Sequence, residues 1–553
     1  MTLTSLLASW LVAVPQPGFQ PQPSGSPTPL PFGAGVFGFS FLLSWLIWTP
    51  VVGAIAIAIL PNPRGRFTRY FQLVAFWVNV LAGLGIAIIA YSQFPLFSSG
   101  PQYEEKVPWL PPFGIGYHLG VDGIGVTLLL MSELIGVIAV VASSGIRERA
   151  REYYVLLLLV QTAVNGFIAA QDAFVMVLFW GAATVPLALL AGGWGGPRRA
   201  AAGWRLFGYW SLGTFFLLVG VLVMYGSGGG ASFDLSVLTK ASFSPQVQVV
   251  GGGLLILAAC TRLPLLPFHG WARDFYAEAP VGVSVLVAGV ATRMGGFLLL
   301  RLLIAGMHDG ARLLGPFIAF LAAATVVYAA AAALRGPDLR VRGAYLALVP
   351  GGVTMLALSA LTPLSLVGAV LSLWSGGLAA ALIVGVCVVL SDRAHARSLD
   401  VLGGLAPRMP RLSWLFVLAC LALLGLPGLA SFPAEAMTFF GSFRTQPAGA
   451  AGLAAGLVLA GIAVAWLLGR LLFGPPVQGA PGVTDAGLHE VWFLGLLAGA
   501  LLWVGLVPSG PKLAGVPLFL DPGLVNVMNA SIGDLAAPYV SGPVPGASAG
   551  TSP

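Results

Sequence analysis

The sequence predicts an all-α integral membrane protein of about fourteen transmembrane helices, two of them broken. Three observations carry that expectation. Apolar residues make up 58% of the chain and charged residues only 8%, where soluble proteins run at roughly 25% charged. Apolar runs long enough to cross a bilayer, about 17 to 25 residues each, recur along the chain. The basic residues collect in alternate connections between those runs.

The runs fall at 41–60, 71–91, 124–143, 153–170, 174–194, 206–225, 249–266, 281–303, 313–334, 344–361, 366–390, 412–440, 453–473 and 491–507. Connections after odd-numbered runs hold eighteen arginines, and even-numbered connections hold only Lys106, Lys240, Arg312 and Arg444. By the positive-inside rule the odd connections are cytoplasmic, so both termini lie outside. The alternation also supports the count, because a missed span would swap the side of every later connection.

Two runs are interrupted. Residues 260–269 read CTRLPLLPFH, with an arginine beside two prolines, and residues 425–435 read GLPGLASFPAE, ending on a carboxylate. Proline removes a backbone donor and clashes with the preceding turn, so the seventh and twelfth helices are predicted to unwind at 264–267 and 427–433. Unwound backbone inside a bilayer persists only within protein or along a wet cavity, and an ionisable group at that depth points to ion transport.

The remaining composition excludes several classes. The net charge of +7 reports topology, so no nucleic-acid partner is expected. Cys260, Cys387 and Cys420 sit in apolar runs without metal-ligand spacing and read as small buried hydrophobes. No metal cluster, nucleotide-binding glycine loop or nucleophile and base pair is present in the pattern. The first fifteen residues lack a basic n-region, so a cleaved signal peptide is not expected. Residues 16–31 and 541–553 are Pro/Gly/Ser-rich flanks. Asp122 reads as a cap of the third helix, and Asp172 and Gln161 as serving helix packing and loop termination.

From 108 to 508 the sequence resembles the antiporter-like subunits of respiratory complex I, best the subunit M type. GYHLGVDGI at 116–124, FW at 179–180 with Pro186 behind it, and GGWGGPRR at 192–199 carry the resemblance. RLPLLPFHGW at 262–271, EAPVGVSVLVAGVATRMGGFLLLR at 278–301, DRAHARSLDVLGGLAPRMP at 392–410 and GLPG at 425–428 extend it. The subunit L type adds a long lateral helix, and the subunit N type has a lysine where this chain has Glu435.

The resemblance implies two inverted five-helix repeats, with the seventh and twelfth helices as their broken members. Its divisions would be an extension at 1–40, three helices at 41–150, repeats at 151–305 and 306–475, a last helix at 476–510 and a tail at 511–553. It also implies a row of ionisable groups across the membrane midplane: a glutamate in helix five, lysines in helices seven and eight, a histidine in helix ten and a glutamate in helix twelve. Here the helix-five position is Gly181, the lysines are Arg262 and Arg293, the histidine position is Pro350, and Glu435 alone is kept. Guanidinium stays protonated under protein conditions, whereas a buried lysine shifts readily. His269 beside the break is either a relay member or a hydrogen-bonded structural histidine. Glu133 either faces the internal charges or serves polar groups near a helix end.

The implied function is that of a non-catalytic membrane subunit of a proton-translocating NADH:quinone oxidoreductase, with a degenerate axis that impairs pumping. NADH, FMN, iron–sulfur clusters and quinone would belong to partner subunits, with none of them in this chain. Partners would be L-, N- and K-type neighbours and the lipid of a bacterial inner membrane. The alternatives are a structural spacer, or the equivalent subunit of a membrane-bound hydrogenase or a multisubunit cation antiporter.

Overall fold

The computed structural model describes residues 41–61, 68–96, 98, 100–475, 484–506, 512–513, 516–517 and 523–540. The expected extension at 1–40 and the flank at 541–553 lie outside the described residues. The chain is mostly helical, and twelve helices among the described residues are long and apolar enough to cross a membrane. They are α1 (Leu42–Ile59), α2 (Thr68–Ser92), α3 (Gly123–Ala142), α4 (Ala150–Ala169), α5 (Ala173–Trp194), α6 (Arg199–Ser227), α9 (Val281–Ile304), α10 (His308–Arg335), α11 (Leu339–Ala360), α12 (Pro363–Arg393), α15 (Pro447–Leu472) and α16 (Leu488–Leu506).

The seventh and twelfth predicted runs are the ones that come in pieces. α7 (Pro245–Arg262) stops at the arginine, and α8 (Gly270–Glu278) resumes after seven non-helical residues. α13 (Pro410–Leu423) and α14 (Ser431–Ser442) flank the second break. That break runs over 424–430 and so begins earlier than the expected 427–433. Pro433 instead occupies the first turn of α14, where a missing N–H leaves no helical bond unmade. Gly425 (φ +58°) and Gly428 (φ +98°) make the reversal with left-handed backbone that favours glycine.

Both breaks have their freed groups satisfied by protein, as backbone at membrane depth requires. Leu266 N donates to Thr325 Oγ1 at 3.1 Å, Trp271 Nε1 donates to Thr261 O at 2.8 Å, and Ala430 N donates to Leu501 O at 3.0 Å. α9 and α12 are buried along their length and α3 and α11 nearly so, whereas α2, α6 and α15 expose most of their surface. Arg293 of α9 is therefore buried inside the bundle.

Two elements escape the hydropathy reading. The connection before α3 folds as an antiparallel hairpin, β1 (Gln102–Leu110) and β2 (Ile115–Val121), pairing Lys106 with His118. The tail expected at 511–553 contains α17 (Leu524–Val540), which packs on α3 and presents Ser531 Oγ to Gly123 N at 3.0 Å. Seventeen residues interrupted by Asn, Asp and Pro fall short of a bilayer-length signal. Asp122 and Asp172 take the roles read for them: Asp122 Oδ1 accepts from Gly125 N at 2.8 Å, and Asp172 Oδ1 from Phe174 N at 2.9 Å. All three cysteines are buried and unpaired.

Candidate functional site

Arg262 is the last residue of α7, where the negative end of the helix dipole favours a cation. The side chain is buried, and its guanidinium lies 3.7 Å from the ring centroid of Trp210 on α6 and 4.4 Å from that of Trp180 on α5. Nη2 donates to Trp180 O, and Nε and Nη1 have no partner. No carboxylate among the described residues lies within ion-pair distance. Two indole faces and a carbonyl therefore surround the guanidinium; each cation–π contact contributes about 2 kcal/mol when desolvated. α5 is interrupted at Ala183, beside Gly181, and a methyl on Gly181 would meet Thr214 of α6 at 3.3 Å. That direction faces the helix that carries Trp210.

Arg293 on α9 is also buried; Nε donates to Thr292 Oγ1 at 3.1 Å and Nη1 has no partner. The crossing of α7 and α9 is close at Gly295, where a methyl would meet Ala259 O at 2.8 Å and Arg262 Cβ at 3.3 Å. Further along, a methyl on Gly376 of α12 would meet Pro350 Cβ at 2.7 Å and Arg293 Nη1 at 3.5 Å. Pro350 and Gly376 line a crevice of about 10 Å³ with Ser372, Ser375, Ser431 and Glu435, room for about one water. Thr354 Oγ1 and Ser372 Oγ lie 2.7 Å apart beside it. The Glu435 carboxylate folds against Gly425, so a Cβ there would overlap Oε2. Arg293 and Glu435 thus occupy opposite ends of one polar seam inside the protein.

His269 and Glu133 stand apart from this line. His269 occupies the position before α8 without a capping hydrogen bond, half-buried, with its ring 4.7 Å from that of Tyr328 and Nδ1 without a partner among the described residues. Glu133 lies midway along α3, fully buried, so the expectation that it serves polar groups near a helix end is corrected. Asn165 Nδ2 donates to its Oε1. Glu133 makes no ion pair with Arg262, and Asn165 was not singled out by sequence because a lone amide in an apolar helix carries no spacing signal.

At the end of the bundle that carries the arginine-rich connections, a cavity of about 310 Å³ opens beside Glu278 and Pro280. Arg397 Nη1 reaches Glu278 Oε1 at 3.2 Å, and Arg340 pairs with Asp392. At the other end, Asp234 accepts from Lys106 Nζ at 2.6 Å and approaches His118 Nδ1 at 2.9 Å. Burial pushes the Asp234 carboxyl up, but His118, Lys106 and Ser236 outweigh it and hold it well below the usual carboxylate range. Arg301 forms a two-point bridge to Asp122, with Nη2–Oδ1 at 2.6 Å and Nη1–Oδ2 at 3.0 Å.

The family model for the membrane region of NADH:quinone oxidoreductase and Mrp antiporter subunits matches residues 170–462, which span the breaks and the seam. The chain belongs to this family. Among curated relatives, chain 4 1 of the NAD(P)H-quinone oxidoreductase of Synechococcus sp. (strain JA-3-3Ab) is 33% identical over 442 residues, covering 78% of this chain and 82% of the relative. The corresponding chain 4 of Acaryochloris marina is 29% identical over 481 residues, covering 84% of this chain and 89% of that one. The fold matches a chain of respiratory complex I from Thermus thermophilus with a TM-score of 0.77 at 24% identity, covering 89% of this chain and 99% of that chain. It matches a chain of the Mrp complex from Dietzia sp. with a TM-score of 0.76 at 18% identity, covering 90% and 99%. This antiporter-like membrane subunit is therefore of the complex I chain 4, or subunit M, type.

Proposed function

We propose that the protein is a subunit M-type membrane component of a respiratory complex I, in which electron transfer from NADH to quinone drives proton translocation. It has no redox role of its own: NADH, FMN, iron–sulfur clusters and quinone sit on partner subunits. Its neighbours are the L-, N- and K-type membrane subunits in a bacterial inner membrane, with both termini outside. Arg262, Arg293 and Glu435, together with Glu133 and His269 away from that line, form its proton-handling set.

The observation that carries the mechanism is the cradle of Arg262. A pump element must load and release a proton, and a guanidinium does neither. The indole faces hold it charged without a carboxylate whose pairing could switch, so Arg262 and Arg293 supply fixed positive potential across the centre of the chain. Titratable carboxylates remain at the two flanks, Glu133 and Glu435. Transfer through the central segment is impaired relative to a subunit with lysines and a helix-five glutamate. The test is the proton-to-electron ratio of the reconstituted complex, compared with that of a complex in which Arg262→Lys and Gly181→Glu are combined.

A second reading, a structural membrane spacer between pumping neighbours, is favoured by the same cradle. It predicts that neutralising Glu435 leaves the ratio unchanged.

A further inference from the structure

Outside the matched segment 170–462 lies a cluster of buried polar side chains that the seam does not use: Asn79, Ser132, Glu133, Gln161 and Asn165. Three helices contribute to it with positions one turn apart. α2 supplies Asn79 and Gly83 from a π-helical turn at Val78–Leu84, α3 supplies Glu133 and Gly136, and α4 supplies Gln161 and Asn165. Single π-turns of this kind occur often at functional sites.

The hydrogen bonds fix which end of each amide faces inward. Gln161 Nε2 donates to Ser132 O and Ser132 Oγ, both at 3.1 Å, and Ser132 Oγ donates to Asn165 Oδ1 at 2.7 Å. Asn165 Nδ2 donates to Glu133 Oε1, and Asn79 Nδ2 donates to Ala75 O at 2.8 Å. Every amide N–H₂ group is committed to an acceptor, which leaves the carbonyl oxygens of Gln161 and Asn79 turned the other way. Both converge on the place where a methyl on Gly136 would sit, at 2.7 and 2.8 Å. Glu133 Oε2 presses against Gly83, one turn from Asn79. None of these three oxygens has a hydrogen-bond partner among the described residues. No basic side chain among the described residues forms an ion pair with Glu133.

Three buried acceptors without a donor, two of them meeting at Gly136 and the third a carboxylate oxygen against Gly83, require something that brings protons and positive charge. We propose that this node holds one water and one excess proton, shared between the water and Glu133. A bare proton on Glu133 satisfies its own oxygen and at most one of the two amide carbonyls. A dehydrated hard cation would find three oxygens where such ions take about six or more. A protonated water offers three O–H donors and the single charge that neutralises Glu133. Transfer of that proton from the water to the carboxylate breaks one O–H bond and forms another. It leaves a neutral carboxyl and a neutral water that still donates to Gln161 and Asn79. Glycine at 83 and 136 lets these oxygens approach the backbone, since a Cβ at either position would collide with them. Asn79 and Glu133 come from helices that precede the first repeat expected for this chain, and Gln161 and Asn165 from its first helix, so the node would be a proton store at the flank of the path rather than a link within it.

The inference rests on the reading of this chain as a proton-handling subunit, and a local readout separates the two. Infrared difference spectra of the intact complex in lipid nanodiscs at neutral pH should contain the carbonyl band of a buried protonated carboxyl. That band should vanish in Glu133→Gln, shift in Gln161→Leu and Gly136→Ala, and stay unmoved when sodium salts are replaced by choline salts. A spectrum unchanged by Glu133→Gln overturns the node, and so does a band that responds to sodium, which would mark a sodium site. If the complex translocates protons while the band is absent, the node alone fails. If the band is present and no translocation occurs, the proton-translocating reading alone fails.

Discussion

The guanidinium of Arg262 lies over the indole of Trp210 at 3.7 Å, and no carboxylate among the described residues pairs with it. A charge so placed is costly to bury and is compensated mainly by ring faces, a carbonyl and a helix end.

Removing the charge and removing its cradle should therefore have opposite consequences. Arg262→Met, which replaces a buried charge by similar apolar volume, is expected to leave stability unchanged or raised by about 1 kcal/mol. Trp210→Leu leaves the charge and takes away a ring, and should cost about 3 kcal/mol. Unfolding of the purified subunit or complex in graded denaturant measures both.

Much of this was legible in sequence, and the limits have physical causes. Proline pairs beside Arg262 and glycines around Pro427 announced the breaks because backbone chemistry is local. The Trp180 and Trp210 cage was not legible, since aromatics in apolar helices read as ordinary core until their faces are seen to meet a cation. Asn79 and Asn165 are single amides whose meaning comes from three helices meeting. The β1–β2 hairpin went unseen because hydropathy over 91–123 registers only a connection between spans.

The second break gives a sharper steric test. Gly425 has φ +58°, and a Cβ there would overlap Glu435 Oε2. Gly425→Ala should cost about 1 to 2 kcal/mol from the left-handed backbone alone and should push the Glu435 carboxylate out of its crevice. A fully stable Gly425→Ala complex would contradict that placement of Glu435.

The Asp234 network on the hairpin side gives a pH dependence with a definite sign. Its folded carboxyl is held below the usual range, so its stabilising contribution is complete above the unfolded value of about 3.9. The contribution is lost as pH falls from there toward the folded value. Hydrogen exchange over 102–121 should therefore accelerate on acidification below about pH 4. Asp234→Asn should show fast exchange already at neutral pH, with a weaker acid response.

The most direct measurement is the proton-to-electron ratio of the complex reconstituted in sealed vesicles, for the natural chain and for the Arg262→Lys, Gly181→Glu double substitution. Fixed positive charge in the centre predicts that the double substitution raises the ratio, because it restores a group that can release a proton and a carboxylate that can switch its pairing. An unchanged ratio in the double variant, together with a sharp fall when Glu435 or Glu133 is replaced by glutamine in an intact complex, would contradict the account. Protons would then be passing through this subunit by a route that avoids Arg262.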